Sequence, residues 1–298
     1  MRGNPRNQAG QIFRSIDRIG ESRHAAKQTA RAAGITGSHE ISQSVGIYSF
    51  ATMSQYRAIC TDFLTWCRDA HGLIDAAKVS PELAAEWLSL KVASGAKRKT
   101  FSTYTAALGK MSAGLSSIYK RDFQYESALK PLRQEVKNFL PHKITSRAYA
   151  RPEAMLQHLT DLHLLAAELQ LFGGARVKEI AHLTTKNLAE NNAIRLTNTK
   201  GGRRREITLP PDLFTRLRDI ISQQGEFRID YHQYLNQLRH AAYESEQTYT
   251  GTHGLRWNYA QRTFTEIQES GTGYEEALKT VSERLGHSRP EITLHYLR

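Results

Sequence analysis

Ile194-Arg195-Leu196-Thr197-Asn198-Thr199-Lys200-Gly201-Gly202-Arg203-Arg204-Arg205-Glu206-Ile207-Thr208-Leu209 is the stretch of this 298-residue sequence that alternates apolar and polar residues on both sides of a glycine pair. A period of two belongs to strands, and Gly-Gly between two such runs is a hairpin signature. With the glycines at the turn, Lys200 pairs with Arg203, Leu196 with Ile207 and Ile194 with Leu209, so the apolar pairs share one face. Lys200 falls on that same inward face. A lysine at a hairpin tip is ordinarily solvated decoration, so its meaning depends on the rest of the chain.

The rest is patterned as helix. After the hairpin, helices are expected at about 211–224, 230–246, 254–270, 274–285 and 289–297, and before it at 152–172 and 176–184. Further upstream, Tyr56, Ile59, Phe63, Leu64 and Trp66 mark a helix that ends near Gly72, and Ser80-Pro81-Glu82 starts another with a capping serine and a first-turn proline. A third spans about 100–119, and a fourth about 127–140. The fold class is therefore mainly α with a small β-sheet. Three regions are expected: a basic N-terminal arm and linker over 1–40, a helical bundle over 41–142, and a second domain over 143–298, entered through the basic stretch Lys143 to Arg151.

The arm carries Arg14, Arg18, Arg23, Lys27 and Arg31, with Ile12, Ile16 and Ile19 at helical spacing. It reads equally as a helix reaching for a partner or as a solvated helix packed on its neighbour. In the whole chain 41 Lys and Arg oppose 29 Asp and Glu, a formal charge of +12 with a pI near 9.7, which makes a polyanion the leading partner. Lys97, Arg98, Lys99 and Thr100, at the start of the third helix, suit phosphate contacts, as do Arg203 and Arg204 on the hairpin. A solvated, well-capped helix end is the competing reading of the first group.

The N-terminal residues contain no apolar run of signal-peptide type, and no segment is apolar for long enough to span a bilayer. An intracellular, cytoplasmic protein without a membrane partner is expected. Cys60 and Cys67 stand about 10 Å apart along a helix, beyond disulfide reach, and are read as reduced core residues. No Cys/His cluster has metal-ligand spacing, and no metal or cofactor is expected.

Chemistry-bearing residues gather in the second half. His253 and Arg256 in Thr252-His253-Gly254-Leu255-Arg256 are three apart at a helix start, where both can face one anion. Gly173-Gly174-Ala175 breaks a helix so that Arg176 begins the next, with Glu179 one turn on to brace it. Leu285-Gly286-His287 ends a helix, Ser288 and Glu291 form a capping box for another, and Tyr296 follows His287 by nine residues. Each element alone is weak.

In this order, Gly174-Ala175-Arg176 with Glu179, the hairpin Lys200, His253 with Arg256, Leu285-Gly286-His287 and Tyr296 resemble the tyrosine recombinase (phage integrase) family, of the kind carried by mobile elements. The resemblance covers about residues 150–298. It implies a catalytic domain of the DNA breaking-rejoining fold, preceded by a helical, SAM-like core-binding bundle. It also implies site-specific DNA recombination or integration through a 3′-phosphotyrosyl bond to Tyr296, without metal or ATP. Arg176 and Arg256 would clamp the phosphate, His253 would take the tyrosine proton, and His287 would donate a hydrogen bond to a phosphate oxygen. The general-acid role falls to Lys200 by the same resemblance.

The implied partners are double-stranded attachment-site DNA, further copies of the chain as a tetramer on two duplexes, and accessory DNA-bending or directionality factors, which implies a nucleoid-associated location. Many members continue beyond the tyrosine into a tail that docks on a neighbour, whereas this sequence ends two residues after Tyr296. If that end is native, contacts between protomers are expected from the final helix or the arm. The competing functions are type IB topoisomerase-like relaxation, which uses the same chemistry, and non-catalytic DNA binding. A metal-dependent nuclease or transposase would call for clustered carboxylates, which the sequence does not present. Tyr259 and Tyr274 are the rival nucleophiles, and His182 and His295 read as surface or packing residues.

Overall fold

In the computed structural model, which describes residues 1, 3–140, 145–197, 204–287 and 289–298, the chain divides into two units, Met1–Lys143 and Ile144–Arg298. The first contains α1 (Pro5–Arg14), α2 (Arg23–Ala32), α3 (Ser38–Ser44), α4 (Phe50–His71), α5 (Pro81–Ala93), α6 (Arg98–Tyr119) and α7 (Glu126–Phe139). Side-chain oxygens of Asn4, Ser49 and Ser80 accept from backbone N–H groups in the first turns of α1, α4 and α5, and Gly72, with φ 64°, stops α4. Cys60, Phe63, Leu64 and Cys67 form one buried stripe of α4, packed with Trp87 and Leu88 of α5 and Leu108, Met111 and Leu115 of α6. Both cysteines are unpaired and buried.

The first 40 residues differ from the expected arm. Helix α1 is a core element, with Ala9, Ile12 and Phe13 fully buried against α4 and α6. Gly114 makes that approach feasible, because a Cβ there would stand 2.6 Å from the Ile12 side chain and 2.7 Å from its carbonyl. Ile16 and Ile19 lie past the end of α1. The chain there pairs instead with Ile47, whose N–H donates to the Ile16 carbonyl at 2.9 Å. The basic helix α2 buries only Ala30. Lys110 of α6, 6% exposed, donates to the carbonyls of Ser42, Gln43 and Val45 and so closes the C-terminal end of α3.

The second unit runs α8 (Pro152–Leu156), α9 (Asp161–Leu171), α10 (Val177–Ile180), β1 (His182–Thr184), β2 (Ala193–Leu196), β3 (Arg205–Thr208), α11 (Pro211–Gln224), β4 (Glu226–Arg228), α12 (Tyr231–Glu244), α13 (His253–Glu269) and α14 (Tyr274–Arg284). A 3₁₀ turn over Pro290–His295 follows, in place of the α-helix expected at 289–297. The helix expected over 152–172 is interrupted between α8 and α9. That expected over 176–184 is one turn of helix followed by β1, which pairs antiparallel with β4 through Leu183 and Phe227, both fully buried. This second ribbon adds to the expected hairpin.

The hairpin exists, but its register is shifted by two residues. Ile194 faces Ile207 and Leu196 faces Arg205, where the sequence pairing had put Leu209 and Ile207. A shift of two preserves the inward face, so Ile194, Leu196 and Ile207 remain buried. In this register Arg205 forms a buried ion pair with Glu179. The expected pairing of Lys200 with Arg203 lies outside the described residues. Among the described residues, no helix is long and apolar enough to cross a membrane.

Candidate active site

The site forms where the end of α9, the start of α13 and the end of α14 meet. Gly174, directly after α9, has φ +63°, and a Cβ there would lie 2.4 Å from the Tyr259 ring, so a side chain is opposed by both backbone and packing. The turn places Arg176 at the head of α10. Its backbone N–H donates to Glu179 Oε2 at 2.8 Å and its Nη1 to Glu179 Oε1 at 2.7 Å. Glu179 is 3% exposed and also accepts from Arg205 Nη2 at 2.7 Å. Burial works to raise its pKa, yet Arg205 and the hydrogen bonds from Arg176 and Arg205 hold it below the ordinary value.

His253 opens α13 and Arg256 follows on the same face. Arg256 is fully buried, with Nη1 donating to the Gly174 carbonyl and Nη2 to the Leu285 carbonyl. Its Nε is buried without a partner among the described residues. Burial first, then the charges of Arg176 and Arg205, push its pKa down to about 10. Arg176 and Arg205 thus hold the one carboxylate, Glu179, while the third guanidinium, Arg256, rests on two backbone carbonyls. The excess positive charge and the unsatisfied Nε suit an anion with several oxygens.

Tyr296, 7% exposed, caps the final 3₁₀ turn, and its hydroxyl lies 2.9 Å from His253 Nε2. Its ring packs on Trp257 at 5.2 Å between centroids and on His287 at 5.1 Å, and stands 6.0 Å from the Arg256 guanidinium. Nδ1 of His287 shares a 2.8 Å hydrogen bond with the Thr293 hydroxyl. Burial, then the charges of Arg256, Arg176 and Arg205, push the His287 imidazole down to about 3, so it is neutral at physiological pH.

Arg176, Glu179, His253, Arg256, His287 and Tyr296 therefore converge, while Lys200, Arg203 and the capping residue Ser288 lie outside the described residues. Arg204 is exposed just before β3. Lys97, Arg98, Lys99 and Thr100 belong to the other unit, where they start α6 with Lys97, Lys99 and Thr100 exposed. Of the rival tyrosines, Tyr259 packs over Gly174 and Tyr274 lies on Phe264. His182 pairs with Glu226 at the surface, and His295 is exposed. Sequence reasoning missed Arg205, Thr293 and Trp257. Arg205 is the third of three consecutive arginines, and only the strand register distinguishes it. Among the described residues, no three His, Cys, Asp or Glu side chains are placed to hold a metal.

The sequence model of the phage integrase family matches residues 138–298. No curated protein matches the chain by sequence. Solved structures do match by fold. The XerH site-specific recombinase bound to palindromic difH substrate superposes with a TM-score of 0.62 at 14% identity, covering 100% of this chain and 94% of that one. The Tn1549 transposon integrase in complex with circular intermediate DNA gives 0.57 at 17% identity, covering 93% and 94%. The lambda integrase dimer bound to a COC′ core site gives 0.59 at 14% identity, covering 93% and 76%.

Proposed function

Because this chain belongs to the phage integrase family, we propose that it is a site-specific DNA recombinase that cleaves and rejoins strands through Tyr296. The observation that carries the reading is the 2.9 Å hydrogen bond between the Tyr296 hydroxyl and His253 Nε2, set beside the buried Arg256 and the Arg176–Glu179 pair.

In this reaction the Tyr296 oxygen attacks phosphorus as His253 accepts the phenolic proton, and the bond from phosphorus to the 5′ oxygen breaks. Negative charge building on the non-bridging oxygens meets Arg176 and Arg256. Neutral His287 shares Nδ1 with the Thr293 hydroxyl, and in the tautomer in which Nδ1 accepts, Nε2 carries the proton and donates it in a hydrogen bond to a phosphate oxygen. The departing 5′ oxygen takes a proton, a role the family resemblance gives to Lys200. The 3′-phosphotyrosyl bond conserves the phosphodiester energy, so a 5′ hydroxyl from a second duplex reverses the step and restores Tyr296.

The proposed partners are attachment-site duplexes with inverted half-sites and three further copies of the chain, assisted by DNA-bending or directionality factors, on cytoplasmic, nucleoid-associated DNA. Phosphate contacts are assigned to Lys97, Arg98, Lys99, Thr100, Arg203 and Arg204. The test is a nicked suicide substrate bearing a candidate attachment site, incubated with the protein in EDTA and run on a denaturing gel. A covalent adduct that is lost in Tyr296→Phe supports the proposal. A validated binding site that yields no adduct refutes it, and plasmid relaxation independent of any cognate site would favour topoisomerase-like action.

A further inference from the structure

Arg205 of β3 makes contacts that parallel those of Arg256. Arg256 spans from the Gly174 carbonyl to the Leu285 carbonyl. Arg205 spans from the same Gly174 carbonyl, 3.4 Å from its Nη2, to the adjacent Arg284 carbonyl, which accepts from its Nη1. Its Nη2 also holds Glu179 Oε2 at 2.7 Å, the oxygen that accepts from the Arg176 backbone N–H, while Oε1 holds the Arg176 guanidinium. One side chain thus ties the hairpin to the carboxylate that braces Arg176 and to the end of α14 just before His287. The fit is close, since Gly286 has φ +65° and a Cβ there would lie 2.8 Å from Arg205 Cδ.

Stability alone is a poor reason for this arrangement. A buried ion pair returns little of its desolvation cost, and apolar residues of similar size commonly do as well. Arg205 is 10% exposed at its side chain, and its Nε is buried without a partner among the described residues, a cost that folding alone does not recover. Resting on the recombinase reading above, we infer that Arg205 is a positioning residue for strand cleavage: through Glu179 and the end of α14 it sets Arg176 and His287 against the scissile phosphate.

The experiment measures single-turnover adduct formation at saturating protein for the parent, Arg205→Ala and Arg205→Lys. Each is tested on two nicked substrates, one with an ordinary scissile phosphodiester and one with a methylphosphonate, whose linkage carries no negative charge. A failure of the parent to form the adduct would count against the recombinase reading itself, whereas the inference is judged on the variants of an active parent. Arg205→Ala is expected to bind the site with unchanged affinity and to cleave the phosphodiester about 10- to 100-fold more slowly, by analogy with the loss on removing a partner that orients a metal-binding side chain. On the methylphosphonate, where the clamp has no charge to meet, the deficit should shrink to within a few-fold. Arg205→Lys, which keeps the charge but reaches one acceptor, should fall between. A folded Arg205→Ala variant that cleaves like the parent, or an equal deficit on both linkages, overturns the inference. If Arg205→Ala fails to fold, as read by circular dichroism, Arg205→Lys decides by the same comparison of linkages.

Discussion

His287 shows how the charge of the site acts on one residue. Its folded-state pKa is pushed down to about 3 by burial and three guanidiniums, well below an ordinary histidine. Between about pH 6.5 and pH 3 the unfolded chain therefore binds a proton that the folded chain refuses. The resulting stability is complete above about 6.5 and is lost as pH falls toward 3. Chemical denaturation at pH 7.5 and pH 5 should show the second unit weaker at pH 5, with a smaller difference in His287→Gln; equal differences in the two proteins would contradict this. Arg256 tests the same charge from the other side. A lysine ammonium held by two carbonyls keeps at most one N–H for a phosphate and lacks the planar fork of a guanidinium, so Arg256→Lys should slow adduct formation by about 10²- to 10³-fold. A single-turnover rate near the parent's would remove Arg256 from the clamp.

At the scale of elements, short connections carry the site. Gly174→Ala would place a Cβ 2.4 Å from the Tyr259 ring at a φ of +63°, and a cost of roughly 3 kcal/mol is expected in urea denaturation. In the first unit, Lys110→Met would leave the carbonyls of Ser42, Gln43 and Val45 without their donor, at roughly 1–3 kcal/mol, and amide exchange should accelerate first around α3. Long periodic elements were legible in the sequence: α4, α6 and α11 each bury a stripe set by several turns, and Gly72 and Gly225 mark the stops of α4 and α11. Short elements were not. Strands β1 and β4 carry one inward residue each, Leu183 and Phe227, which is too few for alternation to register. The hairpin's inward face was readable from its parity, while a slip of two residues leaves that parity unchanged, so the pattern alone did not fix the register. The site followed the same division. Residue types and spacings pointed to Arg176, His253, Arg256, His287 and Tyr296, but Thr293 and Arg205 act through contacts that no local pattern encodes.

Over the whole molecule, the charge is unequally divided. Residues 1–143 hold 21 Lys and Arg against 11 Asp and Glu, whereas residues 144–298 hold 20 against 18, so the first unit carries a net +10 and the second +2. The second unit spends much of its positive charge internally, with Arg176, Arg205, Arg216 and Arg262 paired to Glu179, Glu168 and Glu266. Salt-sensitive affinity for a polyanion scales with the phosphates neutralised, and each lysine that meets one contributes about one unit to the slope of log K against log salt. The first unit should therefore supply most of the sequence-independent affinity, with the proposed contacts of Arg203 and Arg204 adding a smaller share from the second. Replacing exposed Lys97 and Lys99 by glutamine should reduce the magnitude of that slope by about two, uniformly across DNA sequences. The same change at Lys186 and Lys279, exposed on the second unit, should leave it nearly unchanged. Fluorescence anisotropy titrations over a range of salt concentrations measure both. A larger effect from the second pair would mean that the catalytic unit grips the backbone broadly despite its near-neutral charge.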